Sequence, residues 1–465
     1  MKRARGPSSL LLLALICLLA VPVTASAQLQ LQPGDVELEL LNSAGQPETR
    51  AGAHPDRLVV GVRFTDTGGQ AENAKDIVFS LPEGLAGNLS AVSPCPRGAF
   101  SELPYGNPEV FCDLATTRVG QLLDSPSPVP WIFNVEPAPN EVGAFGQGID
   151  FPLKFSVTPE VDGTLEMQLN NLAEPTEADD PPDVLKFELW GVPSDHLEGA
   201  IPRRPMLTSP TRCGAAPVVS VSAHTWQHPE RWFSGTGVSA HPLTGCETLG
   251  FQPTTELSLA DLRADAPTGA DVAVAIPANE DPDGQSSSQL KAVKVVLPSG
   301  MTVSPGGASG LATCSDDQLA VKSAAEAECP GASRVGSVRI DASSLGSDPL
   351  QGKVYLGQEL PGTRFRLFVV VQGHGFQMKF IGEMQTDSKT GRLTANLSDL
   401  PQLPFDSMTL HFDGGPDALL ATPLTCGPAK AEATFTPYSG SAPVQSSATV
   451  SIAGSDGGAC SGQPP

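Results

Sequence analysis

One segment occurs twice in this chain, as KDIVFSLPEGL at residues 75–85 and as KAVKVVLPSGM at residues 291–301. Each copy joins a strand-like run rich in β-branched residues to a turn that contains proline and glycine. Arg118-Val119-Gly120 recurs at the same offset of 216 residues as Arg334-Val335-Gly336. After a shift of a few residues, 184–191 matches 407–414 and 209–214 matches 422–427. The chain is therefore predicted to contain two copies of one unit of about 215 residues.

The cysteine spacing repeats as well. Eight cysteines follow Cys17, at intervals of 17, 101 and 33 residues in the first half and 15, 97 and 34 in the second. Eight cysteines allow about 105 pairings, but pairing neighbours gives each unit two equivalent local disulfides. Zinc ligation is the alternative, and the Cys-x-x-Cys spacing that it favours is absent. The predicted disulfides, each worth about 3 to 4 kcal/mol on the loop-entropy model, are Cys95–Cys112, Cys213–Cys246, Cys314–Cys329 and Cys426–Cys460.

The N-terminus has the features of a secretory signal peptide. Basic residues precede an apolar stretch from Leu10 to Val21, and Ala25-Ser26-Ala27 forms a small-x-small cleavage site. Residues 1–27 are predicted to be removed, so that the mature protein is secreted or held at the cell surface. The alternatives are a membrane anchor, which the short run broken by Pro22 disfavours, and lipidation of Cys17. No later segment has the ~18 consecutive apolar residues that a spanning helix needs, and membrane insertion is not expected.

The net charge of the chain limits the classes of partner that it can bind. The chain has 51 acidic against 28 basic residues and a net charge of −23. Phosphate backbones and anionic lipid surfaces require a basic face, so neither nucleic acid nor electrostatic membrane docking is expected. Cell-envelope components and extracellular glycans are the partners that remain for consideration.

The composition favours an all-β fold. Short alternating or β-branched runs recur between turn residues, and 47 glycines and 45 prolines interrupt any long helix. Only Asp316–Glu328, inside the Cys314–Cys329 loop, is a fair helical candidate. The predicted fold is a tandem of disulfide-stapled, Ig-like β-sandwich domains. Because about 215 residues is long for one sandwich, each unit is predicted to divide in two, which gives sandwiches at 28–125, 126–250, 251–345 and 346–465.

Longer strings connect the chain to a known family. They are AGAHPD (51–56), LPEGLAGN (81–88), LWGVPSDH (189–196) and LTSPTRC (207–213) in the first copy, and LPSGMTVSP (297–305), GLATCS (310–315) and CPGASRVG (329–336) in the second. These strings resemble a family of large secreted β-rich repeat proteins of actinobacteria and related high-GC bacteria. The resemblance implies export, repeats and β-structure. Since that family has no settled biochemical activity, it implies no site residues.

Candidate binding residues are few. His224 and His228 flank Trp226 in a predicted strand, where they suggest either half of a metal site or a shallow sugar-stacking patch; ordinary surface histidines and a packed tryptophan are the competing interpretations. The acidic runs 177–183 and 280–284 suggest calcium as the one possible cofactor. Calcium needs about six to eight oxygen ligands, and because neither run has the full alternating Asp ladder with a closing Glu, solvated turns are the favoured interpretation.

No catalytic, cofactor-binding or metal-site signature stands out. The Gly-x-Ser-x-Gly elbow of serine hydrolases, the phosphate loop and the dinucleotide fingerprint are absent from the sequence. The leading hypothesis is a non-catalytic secreted or cell-surface protein for adhesion, scaffolding or binding. The alternative is a secreted carbohydrate-binding protein or hydrolase accessory that uses Trp190, Trp226 and Trp232. A third hypothesis is an envelope component that assembles through exposed strand edges.

Overall fold

The structure is a computed structural model of the whole chain. It describes residues 29–66, 73–97, 112–123, 130–139, 141–147, 153–172, 184–199, 201–304, 311–346, 348–360 and 365–460. The predicted signal peptide and the acidic run 177–183 lie outside the described residues.

Strands form almost all of the regular structure. Those of the first unit are β1 (Leu29–Gln30), β2 (Val36–Leu41), β3 (Arg57–Arg63), β4 (Thr65–Asp66), β5 (Ala74–Ser80), β6 (Ala86–Gly87), β7 (Arg118–Leu123), β8 (Trp131–Val135), β9 (Gly143–Gln147), β10 (Leu153–Pro159), β11 (Leu165–Leu169), β12 (Val184–Trp190), β13 (Leu207–Thr208), β14 (Val218–Thr225) and β15 (Phe233–Val238). Those of the second are β16 (Thr254–Leu259), β17 (Pro267–Thr268), β18 (Ala270–Ala275), β19 (Leu290–Val296), β20 (Thr302–Val303), β21 (Arg334–Asp341), β22 (Leu350–Gly357), β23 (Phe365–Gly373), β24 (Phe376–Thr386), β25 (Leu393–Leu397), β26 (Ser407–Phe412), β27 (Leu420–Ala421), β28 (Gly427–Pro437) and β29 (Val444–Ile452). The helical segments that lie wholly within the described residues are the α-helix Asp316–Leu319 and the 3-10 turns Leu89–Ala91, Pro193–His196, Cys246–Thr248, Gly331–Ser333 and Ser343–Leu345.

Each unit is built around one antiparallel sheet of eleven strands. The first has the order β15-β14-β5-β11-β10-β9-β8-β7-β12-β3-β2, and the second has β29-β28-β19-β25-β24-β23-β22-β21-β26-β18-β16. Written in this direction, the two orders match strand for strand, as expected for a duplicated unit. The predicted all-β, tandem fold is confirmed.

The sheets are curled. In each unit the two edge strands lie against each other, β2 against β15 and β16 against β29. The backbone N–H of Thr255 in β16 donates to Ser446 Oγ in β29 at 3.1 Å. The two halves of each sheet thus face each other as the layers of a sandwich, and the edges are covered. Assembly through free edges of these sheets is therefore disfavoured.

One hydrophobic core fills each sandwich. In the first unit the rings of Phe79, Phe155 and Phe187 are fully buried, and the Phe187 centroid lies 5.5 Å from that of Phe79 and 5.3 Å from that of Phe155. Truncating one such phenylalanine to alanine typically costs about 3 to 5 kcal/mol. The period-two pattern of the sequence sends these side chains inward.

The expected division inside each unit needs correction. Strand β5 pairs with β11 and β14, across the expected boundary at 125/126, and β19 pairs with β25 and β28, across that at 345/346. One sheet and one core include both halves, because strands distant in sequence pair with each other. Each unit is one sandwich, and the boundary expected at 250/251 falls between β15 and β16.

All four predicted disulfides are formed, with Cα–Cα distances of 5.2, 5.9, 5.0 and 5.7 Å in chain order. The first and third occupy equivalent places. The backbone N–H of Cys95 donates to Asn134 O, and that of Cys314 donates to Leu356 O, both at 2.8 Å. These bonds tie the disulfide loops to β8 and β22. Such disulfides form and persist in oxidising compartments.

The helix expected over 316–328 is only one turn long. Ser315 caps it by accepting from the Gln318 backbone N–H at 3.2 Å, and the Gln318 side chain in turn accepts from the Ser315 N–H. The helix ends at Ala320, whose φ of 51° is left-handed. Lys379 then donates to the carbonyls of Ala320, Ser323 and Ala325, which holds the following chain in a non-helical path.

The two units are joined along a surface that we call the seam, formed by 51–54 and 84–90 of the first unit and 285–290 and 400–406 of the second. Across it the Ser286 N–H donates to Gly52 O at 2.7 Å, and Gln285 Nε2 donates to Ala51 O at 2.8 Å. Arg203 also bridges Asp195 and Asp283, one from each unit. The units are therefore connected by directional contacts as well as by the chain.

Candidate functional site

The predicted residues His224, Trp226 and His228 lie where β14 leads into the loop 226–232, which we call the Trp232 loop. His224 is buried at the end of β14, and its Nε2 lies 2.7 Å from Asp76 Oδ2 on the paired strand β5. His228 is half-buried in the loop, with Nδ1 3.8 Å from Glu230 Oε1. The prediction that both histidines lie in one strand is wrong, because the strand ends at Thr225.

Trp226 has a structural role that both units share. Its Nε1 donates to Leu172 O at 3.0 Å, and its backbone N–H donates to Asn73 O at 3.0 Å. At the equivalent place in the second unit, the Tyr438 hydroxyl donates to Leu400 O at 2.5 Å, and its backbone N–H donates to Gln289 O at 2.9 Å. Trp226 is therefore a packed aromatic that closes one end of the sandwich, with Lys75 Nζ 4.7 Å from its ring centroid.

The exposed aromatic of this region is Trp232. Its side chain keeps 52% of its surface accessible, and its ring meets that of His224 edge to face, with centroids 4.4 Å apart. The next residue, Phe233, anchors the start of β15 against Phe64 at a centroid distance of 6.2 Å. The sequence placed Trp232 only in the alternative hypothesis. Its neighbours Glu230 and Arg231, both polar, were the available signal that it sits in an exposed loop.

A chain of contacts holds Trp232 in place. Asp76 Oδ1 accepts from the Asn171 backbone N–H at 2.6 Å, which fixes the carboxylate that binds His224. His224 in turn supports the Trp232 ring. In the second unit Ala292 and Thr436 stand at the positions of Asp76 and His224 in the strand pairing. The support is therefore specific to the first unit, as expected of a feature added to one copy of a duplicated fold.

The chemistry of this arrangement is that of a contact surface. A partly exposed indole offers an apolar face for stacking and an N–H for hydrogen bonding, and tryptophan is enriched among residues that dominate interface energies. A ring already held by neighbours loses little conformational freedom on binding. The Trp232 loop can therefore bind a flat apolar face, such as that of a sugar ring.

Trp190 does not contribute to such a surface. It is buried, donates from Nε1 to Glu188 Oε1 at 3.1 Å and stacks on His196 at a centroid distance of 4.8 Å. Of the three tryptophans in the alternative hypothesis, only Trp232 presents a largely exposed ring.

Some of the residues considered for metal binding are paired with other side chains, and the others lie apart from one another. Within the described ranges, no three His, Cys, Asp or Glu side chains group in a way that could hold a metal ion. In the run 280–284, Arg203 Nη2 donates to Asp283 Oδ1 at 2.8 Å, and this guanidinium lowers the pKa of the Asp283 carboxyl. Asp283 is thus engaged in a contact between the two units. Among the helices that the structure describes, none is long and apolar enough to cross a membrane.

The fold defines a tandem β-sandwich protein, and Trp232 is an exposed aromatic residue on its first unit. No family model matches the chain, and a search of curated proteins finds no match. Among solved structures, it is similar to the BspA C-terminal domain of the Streptococcus agalactiae AgI/II polypeptide, with 10% identity, coverage of 89% of this chain and 100% of that one, and a TM-score of 0.20.

Two further solved structures give similar values. A partial N-terminal region of an enterococcal surface protein is 7% identical, with 92% and 95% of the two chains covered and a TM-score of 0.21. The Enterococcus faecalis MSCRAMM ACE, whose title states that it binds its ligands by the collagen Hug model, is 8% identical, with 92% and 95% covered and a TM-score of 0.20. Similarity this distant gives no information about the present site.

Proposed function

We propose that this protein is a non-catalytic binding protein of the cell exterior that acts in adhesion or scaffolding, with the Trp232 loop as its contact surface. The observation that carries this proposal is the exposed Trp232 ring supported by His224 and Asp76 on a rigid sandwich. Tryptophan is enriched among the residues that dominate interface energies, and a ring already held by its neighbours loses little conformational freedom on binding.

The location follows from two independent features. Four disulfides require an oxidising environment, and the predicted signal peptide supplies the export route. We therefore propose a secreted or cell-surface protein. The resemblance to large secreted repeat proteins of high-GC bacteria supports the same location.

The proposed partner is a glycan of the cell envelope or the extracellular matrix. The apolar face of a sugar ring fits an indole platform, and the sugar hydroxyls can bond with the polar side chains of the loop. A net charge of −23 opposes phosphate-rich partners. A neutral or basic glycan is the favoured class.

The experiment is a glycan array combined with a pull-down of cell-envelope fractions, using the wild-type protein and Trp232→Ala. We expect the variant to lose at least about tenfold in affinity, because removal of an aromatic interface residue commonly costs about 2 kcal/mol. The matched control is Leu424→Ala, which removes a side chain that is 74% exposed in the second unit. Equal binding by Trp232→Ala and wild type overturns the proposed site, and turnover of a polysaccharide overturns the non-catalytic function.

A further inference from the structure

The first unit has a pocket that the proposed function does not use. Its volume is about 480 Å³, within the range of about 300 to 1,000 Å³ that is usual for ligand pockets. It is formed where β5 ends, where β14 begins and at the turn 160–164 between β10 and β11. Because Ser80 and Ser220 line it, the pocket lies at the opposite end of β5 and β14 from the Trp232 loop.

Acidic residues outnumber basic ones in the wall of this pocket. Glu83, Glu160 and Asp162 line it, against Arg212 as the one basic residue among its described lining. Arg212 Nη1 lies 3.7 Å from Glu83 Oε2, and since both side chains are more than half exposed, this pair is weak in water. Glu160 and Asp162 carry the remaining negative charge, so the wall favours a cationic ligand.

The Glu160 carboxylate is disfavoured in its charged form. Partial burial raises its pKa, and the neighbouring Glu166 and Asp162 raise it further. Glu166 is itself held in place, because Ser80 Oγ and Gln168 Nε2 donate to its carboxylate at 3.3 and 3.2 Å. A cation placed beside Glu160 stabilises the charge that these neighbours disfavour.

Strand pairing shows which residue of the second unit corresponds to this place. The Leu81 N–H donates to Leu165 O in the first unit, and the Leu297 N–H donates to Leu393 O in the second, both at 2.9 Å or less. Leu81 and Leu297 are 216 residues apart, as the duplication requires. The residue before each acceptor is Thr164 in the first unit and Arg392 in the second, so these two are counterparts.

The Arg392 guanidinium has three acceptors. Its Nε donates to Leu297 O at 3.0 Å, Nη1 to Glu432 Oε2 at 2.9 Å and Nη2 to Lys430 O at 3.2 Å. By the pairing of β5 with β14 and of β19 with β28, the first-unit counterparts of these three acceptor residues are Leu81, Ser220 and Val218.

These three counterparts all line the pocket, and so does Thr164. The pocket of the first unit therefore occupies the position that a guanidinium fills in the second. Thr164 is too short to fill it from within. Ser220 replaces the Glu432 carboxylate, while Glu160 and Asp162 supply negative charge from the neighbouring turn.

We propose that this pocket binds an arginine side chain of a partner polypeptide, with the guanidinium in the position that corresponds to that of Arg392. A planar guanidinium can donate to a carboxylate and to backbone carbonyls at once, as Arg392 does. Free arginine is a poorer ligand, because the acidic wall repels its carboxylate. The site goes beyond the proposed glycan contact, since it gives the first unit a second surface and a second class of partner.

The test measures binding of the blocked peptide acetyl-Gly-Arg-Gly-amide to the full exported chain by isothermal titration calorimetry and ligand-observed NMR. A salt concentration of about 0.15 M screens the diffuse attraction of the net charge of −23. Two matched peptides carry lysine, or citrulline as a neutral group of the same shape, in place of arginine. We expect both to bind at least about tenfold more weakly, because citrulline lacks the charge and lysine lacks the planar fork of donors.

Two variants locate the site. Glu160→Gln removes one charge of the wall at nearly constant size, and we expect the arginine peptide to bind at least about tenfold more weakly to it. Thr164→Arg places an arginine at the position of Arg392, and we expect it to fill the pocket and abolish binding. The control is Glu256→Gln, which removes the same charge at an exposed position on β16 and is expected to bind as the wild type does.

The outcomes separate this site from the Trp232 loop. Absence of binding of the arginine peptide, or binding that Glu160→Gln and Thr164→Arg both leave unchanged, overturns the pocket site. Equal binding of the citrulline or lysine peptide overturns recognition of the guanidinium. Trp232→Ala is expected to bind the arginine peptide as the wild type does, so loss of the glycan contact and loss of the arginine site are distinguishable.

Discussion

Gly120 and Gly336 occupy equivalent positions in the two units, and at each position the sheet has no room for a side chain. Each follows a β-bulge at the start of β7 or β21, and a Cβ added at either position would overlap the carbonyl oxygen of Glu188 or His411 on the neighbouring strand. Because both partners are backbone atoms of central strands, the clash cannot be relieved locally. We expect Gly120→Ala and Gly336→Ala each to lower the free energy of unfolding by about 1 to 3 kcal/mol, as measured by urea denaturation. Gly331→Ala, with no atom near the added Cβ, is the control expected to stay within about 0.5 kcal/mol of wild type.

His54 makes stability depend on pH. Burial lowers its pKa below the usual 6.5 and outweighs the Leu207 hydrogen bond and the nearby Asp281, which act in the opposite direction. As pH falls below 6.5, the unfolded chain takes up a proton at His54 that the folded chain does not, so stability falls toward acid and is constant above that pH for this group. His54→Asn can keep the bond to Leu207 O but does not titrate. As pH falls from 7 to 5, we expect the free energy of unfolding of His54→Asn to decrease less than that of wild type. If the two proteins lose stability in parallel over this range, the role of His54 is contradicted.

At the scale of elements, Lys379 on β24 stabilises the Cys314–Cys329 loop. Its ammonium donates to Ala320 O at 2.9 Å and Ser323 O at 3.1 Å, and also to Ala325 O. Hydrogen bonds to charged groups contribute about 1.5 to 3 kcal/mol. We expect Lys379→Met to accelerate amide hydrogen exchange in 320–328 by at least about tenfold, while the disulfide stays intact. The control is Lys353→Met at an exposed position on β22; equal exchange in all three proteins would contradict the role of Lys379.

The disulfides, the strands and the helix inside the Cys314–Cys329 loop show how much of the fold could be predicted from the sequence. Similar cysteine intervals in the two halves predicted all four disulfides, because a duplicated unit constrains the pairing of its cysteines. Period-two runs predicted many of the strands. Neither signal reports which distant strands pair, so the junction of β5 with β14 was missed and each unit was divided in two. The helix over 316–328 was predicted too long because Lys379, which fixes the loop, is more than fifty residues away.

The candidate sites were harder to predict, because they too depend on contacts between residues that are distant in sequence. His224, Trp226 and His228 are neighbours in sequence, but His224 is paired with Asp76, which is distant in sequence. The edge-to-face contact of the Trp232 ring with His224 depends on the same pair. Likewise, the seam contact between Gln285 and Ala51 joins residues that are distant in sequence. Sites made by the meeting of two units leave no local pattern in the sequence.

At the scale of the whole molecule, Gln402 tests whether the two units are coupled. Its side chain is 3% accessible and faces Gly84 of the other unit, and neither amide atom has a hydrogen-bond partner among the described residues. Methionine has nearly the same length and no amide to satisfy. We expect Gln402→Met to raise the free energy of unfolding by about 1 to 2 kcal/mol, measured by differential scanning calorimetry. Gln351→Met, at an exposed position on β22, is expected to change nothing.

Hydrogen exchange shows whether the two units unfold together, because it reports which strands Gln402→Met protects. Gln402 belongs to the second unit, while the backbone groups of Gly52 and Ala51 that bind Ser286 and Gln285 belong to the first. If these seam contacts make the units unfold together, Gln402→Met protects β5 of the first unit from hydrogen exchange as much as β19 of the second. Protection confined to β19 would mean that the two units unfold independently of each other.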